Sequence, residues 1–334
     1  MKSPAISVLD LAIIREYETH AQTLQKSTAF AKEIERLGYL RYWTPEHHAV
    51  SHMASVAPGI MTASIANATH SIRVGAGGVM LLSHSPLIVA EQFGTLSSLF
   101  PGRIDLGLGR AVGSERPKEK ITRKALGRKP EESEEEFEER VGELTAYLGP
   151  RQQAGPVDAG PGQDSDVELF LLSSSGRNAK LAAQMGVPLA FAAHQSEKNL
   201  APSLEIYRNH FRPSAGLDRP YVILSVFALA AEDDDRARIL FTSMEQMMVG
   251  SIRNSSAKLV APVKNMSEIW TPEEERVIGQ TSSIVGGKTS VRNAIAQLVE
   301  RTGVDELMFI CDCYEYRDRV RSHAILADAV STLQ

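Results

Sequence analysis

Short, continuous apolar runs alternate with stretches of helical spacing along the whole chain. Runs at 6–9, 39–43, 72–75, 104–108, 168–172, 189–192, 221–230 and 306–311 predict eight strands. Apolar positions three and four apart predict helices over 28–37, 56–68, 86–99, 178–185, 201–210, 233–249, 289–300 and 317–333. Gly38 stands where the first helix needs a C-terminal cap, and Pro86 falls in the first turn of another. Strands that are apolar on both faces are those covered by helices in a parallel sheet. A doubly wound sheet gives the same alternation. The count of eight, with no mid-chain linker, favours an α/β fold of the (β/α)8 TIM barrel type, a single domain over 1–334.

Two stretches exceed a minimal barrel and form long insertions after strands 4 and 7. The first, 111–167, carries a basic block (Arg116, Lys118, Lys120, Arg123, Lys124, Arg128, Lys129) and then the acidic run EESEEEFEE. The acidic run predicts the first turn of a helix reaching about Leu148, because carboxylates favour a helix N-terminus. Local ion pairs on a solvated face are the expected use of these charges. The second, 251–285, contains Trp270. Both leave the C-terminal ends of strands, where barrel active sites form, and both are candidate lids.

Charge and composition narrow the function. Against 36 Lys and Arg stand 41 Asp and Glu, a net charge of −5, which argues against a dedicated nucleic-acid binder. No run approaches the roughly 18 apolar residues of a membrane-spanning helix, and the N-terminal run is broken by Ser7 and Asp10, unlike a signal peptide. The two cysteines, Cys311 and Cys313, form a C-x-C pair of poor disulfide geometry. A reduced, cytoplasmic location is the simplest expectation.

Chemistry collects at strand ends. Glu46-His47-His48 follows the second strand and offers a general acid or base with a carboxylate to orient it. Adjacent extended residues point to opposite sides, which disfavours joint metal ligation, and no metal site is expected. Gly75-Ala76-Gly77-Gly78 ends the third strand, either as a simple corner or as a surface for a flat ligand. Asp105–Gly113 superficially matches a dinucleotide glycine fingerprint, but a charged stretch follows where a helix should open. Arg110 remains as a cation at a strand end, suited to phosphate. Ser174, Ser175, Gly176, Arg177 and Asn178 open a helix and offer either an ordinary cap or a phosphate site. His84 and His194 follow strands three and six and are candidates for the mouth. His20, His52, His70, His210 and His323 read as surface or satisfied polar residues.

The segments ERLGYLRYWTPEHH, IRVGAGGVMLLSHSPLIVAEQFGTLSSLFPGRIDLGLGRAVG, SSSGRNAKLAAQMGVP and TGVDELMF occur in the order found in a known family. Over nearly its whole length the chain resembles the luciferase-like monooxygenase superfamily, and most of all the single-chain relatives of bacterial luciferase. The resemblance implies a barrel, usually a homodimer, that binds FMN at its mouth. Reduced FMN would come from a separate NAD(P)H:flavin reductase and react with O2 to oxygenate a small organic substrate. Some relatives instead transfer a hydride with the deazaflavin F420, and others bind flavin without catalysis. By the same resemblance His47 matches the catalytic histidine, with Glu46 and His48 beside it. Gly77 and Gly78 match a non-prolyl cis peptide next to the flavin ring. Arg110 matches a phosphate-contacting arginine, and Ser174, Ser175, Gly176 and Asn178 fall on the phosphate loop. Two departures stand out. Ser174 replaces a glutamate of luciferase, and Arg116 falls where luciferase has an aspartate. Arg123 is the candidate second phosphate arginine.

Overall fold

The computed structural model describes residues 3–110, 119–129, 133–151, 157–255 and 258–333. Arg116 and Lys118 lie outside them. Nine parallel strands run β1 (Ala5–Leu9), β2 (Arg41–Thr44), β3 (Arg73–Met80), β4 (Ile104–Gly109), β5 (Glu168–Ser173), β6 (Leu189–Ala192), β7 (Val222–Ala231), β8 (Ser283–Gly287) and β9 (Glu306–Ile310). Eight close into a barrel: β1 to β6 pair in order, β6 pairs with β7, β7 with β9, and β9 with β1. The expected (β/α)8 barrel is therefore the observed fold. The ninth strand, β8, begins at the end of the expected second insertion and pairs, among the described residues, with the outer half of β7, from Phe227 to Ala231. It escapes an apolar-run reading because SIVGG has only two large apolar residues.

The helices are α1 (His20–Arg36), α2 (Pro58–Ala68), α3 (Pro86–Leu99), α4 (Glu119–Ala125), α5 (Glu134–Leu148), α6 (Gly176–Met185), α7 (Leu200–His210), α8 (Asp234–Ile252), α9 (Pro272–Ile278), α10 (Lys288–Thr302) and α11 (Tyr316–Ser331). Helix α1 begins eight residues before its expected start. Its first turns are polar, but Thr19 and Gln22 form a reciprocal capping box that fixes the N-terminus. Helix α5 runs to Leu148 as the acidic block predicts, with Ser133 accepting from the Glu136 amide at 3.1 Å. The charge blocks form local ion pairs, including Arg123–Glu119 at 2.8 Å and Lys129–Glu136 at 3.1 Å.

Successive strand residues alternate between two cores. Val8, Tyr42, Leu171, Leu224 and Phe309 pack under the helices. Leu9, Trp43, Phe170, Ile223 and Met308 point into the barrel lumen. The N-terminal end of the lumen is filled by charge. Arg41 is buried between Asp105 (2.9 Å) and Glu306 (2.8 Å), and its guanidinium lies 4.8 Å from the Phe170 ring centre. Trp43 Nε1 donates to the same Asp105 at 2.8 Å. Every buried polar group here has a partner of opposite kind, as a low-dielectric interior requires. The lumen is thus sealed below, and the open end is the C-terminal mouth.

The glycine run is a correction. Expected as the end of the third strand, Gly75 to Gly78 lies within β3, which continues to Met80. The β3–β4 register shifts between Gly77 and Val79, and the Gly77–Gly78 peptide is cis. Close backbone approach explains the composition. A Cβ on Gly75 would lie 2.2 Å from the Asp105 carbonyl oxygen, and one on Gly78 would lie 2.5 Å from that of Gly107.

Candidate functional site

Residues that leave five strands meet at the mouth. A cavity of about 680 Å³ is lined by Glu46 and His47 after β2, Gly77 on β3, Arg110 after β4, Ser174, Ser175, Arg177 and Asn178 after β5, and Gln195 after β6. Gly78 and Gly176 stand next to lining residues, in β3 and at the start of α6. Beneath the cavity lies a smaller chamber of about 80 Å³, reaching Trp43, Ile223 and Met308 in the lumen. His47, Gly77 and Leu172 border both.

The Glu46-His47-His48 segment divides its work. Glu46 is buried, and its Oε1 accepts from His48 Nε2 at 2.6 Å and from His84 Nε2 at 2.8 Å. Its Oε2 accepts the Met80 amide at 3.0 Å, which ties the loop after β2 to the end of β3. Burial alone would raise this carboxyl, but the bonds from His48, His84 and Met80 outweigh it and hold the pKa at about 2. The orienting carboxylate therefore serves His48 and His84. His47 is anchored by its backbone amide, which donates to the Ser55 carbonyl at 3.1 Å. The residue as a whole is half-buried, yet its Nδ1 is shut from solvent and has no hydrogen-bond partner. Desolvation, with the neighbouring His52 and His48, lowers its pKa to about 4.

His194 faces the same chamber. Its Nδ1 lies 3.0 Å from Ser225 Oγ and its ring meets Phe227 edge-on at 5.4 Å. Desolvation holds it near 4 as well. Both imidazoles are neutral at pH 7 and able to accept a proton.

The opposite end of the cavity is cationic. Arg110, Arg123, Arg128 and Arg177 all line it, along with Glu119 and Glu134. Arg123, the candidate second phosphate arginine, lines this cavity and pairs with Glu119. Arg128 Nη2 donates to the Arg110 carbonyl at 3.4 Å. Beside them α6 opens with Ser175 at its N-cap, whose side chain makes no capping bond. Asn178 Nδ2 instead donates to the Leu172 carbonyl at 2.8 Å, and Asn199 Nδ2 to that of Ser174 at 3.1 Å. These bonds brace the loop and leave the helix N-terminus facing the cavity.

Sequence spacing missed His52, Arg128 and Glu134, all of which line the mouth. The first insertion supplies Glu119, Arg123, Arg128 and Glu134. The second supplies only Ser251 among the described residues, because Leu259, Met266 and Ile278 turn into the core beside α8. A larger cavity of about 1040 Å³ lies between the loop after β6 and α9, β8 and α10. It gathers none of the histidines. Among the described residues no group of three or more His, Cys, Asp or Glu could hold a metal ion, and no helix is long and apolar enough to cross a membrane.

An eight-stranded barrel with histidines and arginines converging on its C-terminal mouth is a scaffold for small-molecule chemistry. The family of luciferase-like monooxygenases matches residues 6–306, and the chain belongs to that family. It is 42% identical over 330 residues to the uncharacterized protein YvbT of Bacillus subtilis, covering 98% of this chain and 97% of that one. It is 38% identical over 334 residues to a luciferase-like monooxygenase of Escherichia coli, covering 99% and 98%. The solved structure of apo-MsnO8 superposes with a TM-score of 0.87 at 32% identity, covering 99% of each chain. Two more distant structures share the fold. One is the oxygenating constituent of 3,6-diketocamphane monooxygenase from Pseudomonas putida in complex with FMN (TM-score 0.73, 16% identity, 100% and 99% covered). The other is an F420-dependent secondary alcohol dehydrogenase (TM-score 0.63, 15% identity, 98% and 99% covered).

Proposed function

We propose that this chain is a two-component FMN-dependent monooxygenase that takes reduced FMN from a separate NAD(P)H:flavin reductase in the cytoplasm. The observation that carries this reading is the polarity of one continuous site. Four guanidiniums and a helix N-terminus gather at one end, and an apolar chamber bordered by the neutral imidazole of His47 lies at the other. That donor set fits a flat ring bearing a phosphate tail, and the volume falls within the roughly 300–1,000 Å³ of small-ligand sites. Arg110, Arg177 and the Ser174–Asn178 loop would hold the phosphate, and Gly77, which has no side chain, would border the ring. When bound, reduced FMN supplies the electrons for oxygen activation. His47, neutral at pH 7, would accept a proton from the substrate or return one through its imidazole. Leu9, Trp43, Ile223 and Met308 exclude water from the chamber below. A homodimer belongs to this reading, because Ile60 on α2 and Ile88 and Leu99 on α3 are exposed on neighbouring helices.

The test is oxygen uptake with a flavin reductase, NADH and FMN across aldehydes, ketones and aromatic compounds. Substrate-dependent uptake is expected, and its absence across the panel would remove the monooxygenase reading. Parallel titrations with reduced FMN and with F420 decide the cofactor. Tighter F420 binding would reassign the protein to deazaflavin hydride transfer.

A further inference from the structure

Glu134, the first residue of α5, stands between the two most exposed arginines of the cationic end. One of its carboxylate oxygens pairs with Arg110 and the other with Arg177. These arginines come from different strand ends, after β4 and at the start of α6, and both line the mouth cavity with Ser174 and Ser175. The bridging carboxylate is a quarter exposed and reaches this point from the insertion, across the cavity rim. Helix α5 does not need this contact for its own capping, which Ser133 supplies. Glu136, two residues along, has separate partners in Lys129 and Arg140.

A carboxylate and a phosphate monoester ask the same thing of an arginine pair: charge-assisted N–H donors to anionic oxygens. They cannot share the place, because a dianion beside a carboxylate is repelled. We infer that Glu134 competes with a phosphate for the position between Arg110 and Arg177 and is displaced when the ligand binds, so that it sets how strongly the site favours a phosphorylated flavin over a bare one. This inference rests on the flavin reading above. Displacement would break two half-exposed ion pairs, which opposes phosphate binding by about tenfold.

The experiment is calorimetric titration of the whole protein with FMN and with riboflavin. In E134Q, FMN should bind about tenfold tighter, with riboflavin unchanged. E135Q, one residue along the same helix turn, keeps the bridge and should match the wild type in both titrations. R177Q should weaken FMN alone. FMN binding that is unchanged or weaker in E134Q overturns the inference. Failure of the flavin reading looks different: the wild type then binds neither flavin. Inorganic phosphate is in that case the probe, and it must still bind E134Q more tightly than the wild type, equal binding being the overturning result.

Discussion

Glu46 precedes His47 by one residue, yet its carboxylate is bonded to His48 and His84. The segment thus separates a fixed carboxylate from a histidine whose Nδ1 is unpartnered. Toward His47 the Glu46 carboxylate acts through its charge and through the loop it holds, which makes it a positioning residue. Replacing it with Gln keeps the shape but presents an amide N–H where an acceptor is required. E46Q should lose about 1–3 kcal/mol of stability in urea unfolding. An unchanged midpoint would show that the three bonds contribute nothing net.

His47 itself should carry turnover. Asn in its place is polar but smaller, and it removes the proton acceptor. H47N should reduce turnover by at least about 100-fold while FMN affinity changes little. Equal losses in both would mean that His47 shapes the site without moving protons.

Acid should destabilise the fold in two stages. His47 and His194 each titrate near 4 in the folded chain, against an ordinary 6.5. Between these values the unfolded chain binds the protons and the folded one does not, so stability falls as pH drops from about 6.5 to 4. The slope is up to about 1.4 kcal/mol per pH unit for each residue. Glu46, held near 2 against 4.5, continues the fall below pH 4.5. Thermal melts should therefore drop from pH 6.5 downward. The H47N/H194N double variant should flatten the upper stage and keep the lower one, and an unflattened profile would reject the assignment.

The barrel was legible because each of its eight strands is an apolar run buried on both faces. Helix α1 and β3 were legible only in part. Polar first turns hid the start of α1, and the glycines of β3 look like a turn until Asp105 and Gly107 are seen against them. The site followed the same division. His47, Arg110 and Ser174–Asn178 sit at strand ends, so barrel geometry alone directs them to the mouth. Glu134 and Arg128 arrive from an insertion, and His52 from the loop beyond His48. Their reach is set by tertiary packing, which leaves no period in the sequence. Glu46 was expected to orient an adjacent histidine, and the structure gives its carboxylate His48 and His84 as partners.

The sealed end of the barrel offers a test of stability apart from chemistry. Arg41 lies buried between Asp105 and Glu306, a full lumen away from the mouth. Without it, Asp105 retains Arg73 at 2.8 Å and Trp43, but Glu306 keeps only the Tyr221 hydroxyl at 2.8 Å. A buried charge stripped of its partner is destabilising by about 3–5 kcal/mol, whereas removing both partners of such a pair is often close to neutral. R41M should therefore unfold at much lower urea, and R41M/E306L should recover part of the loss. FMN affinity per folded molecule should match the wild type in both, because Arg41 and Glu306 line neither the mouth cavity nor the chamber beneath it. If R41M/E306L were no more stable than R41M, the loss would come from packing around the guanidinium stem and the Phe170 ring, with the stranded carboxylate contributing little.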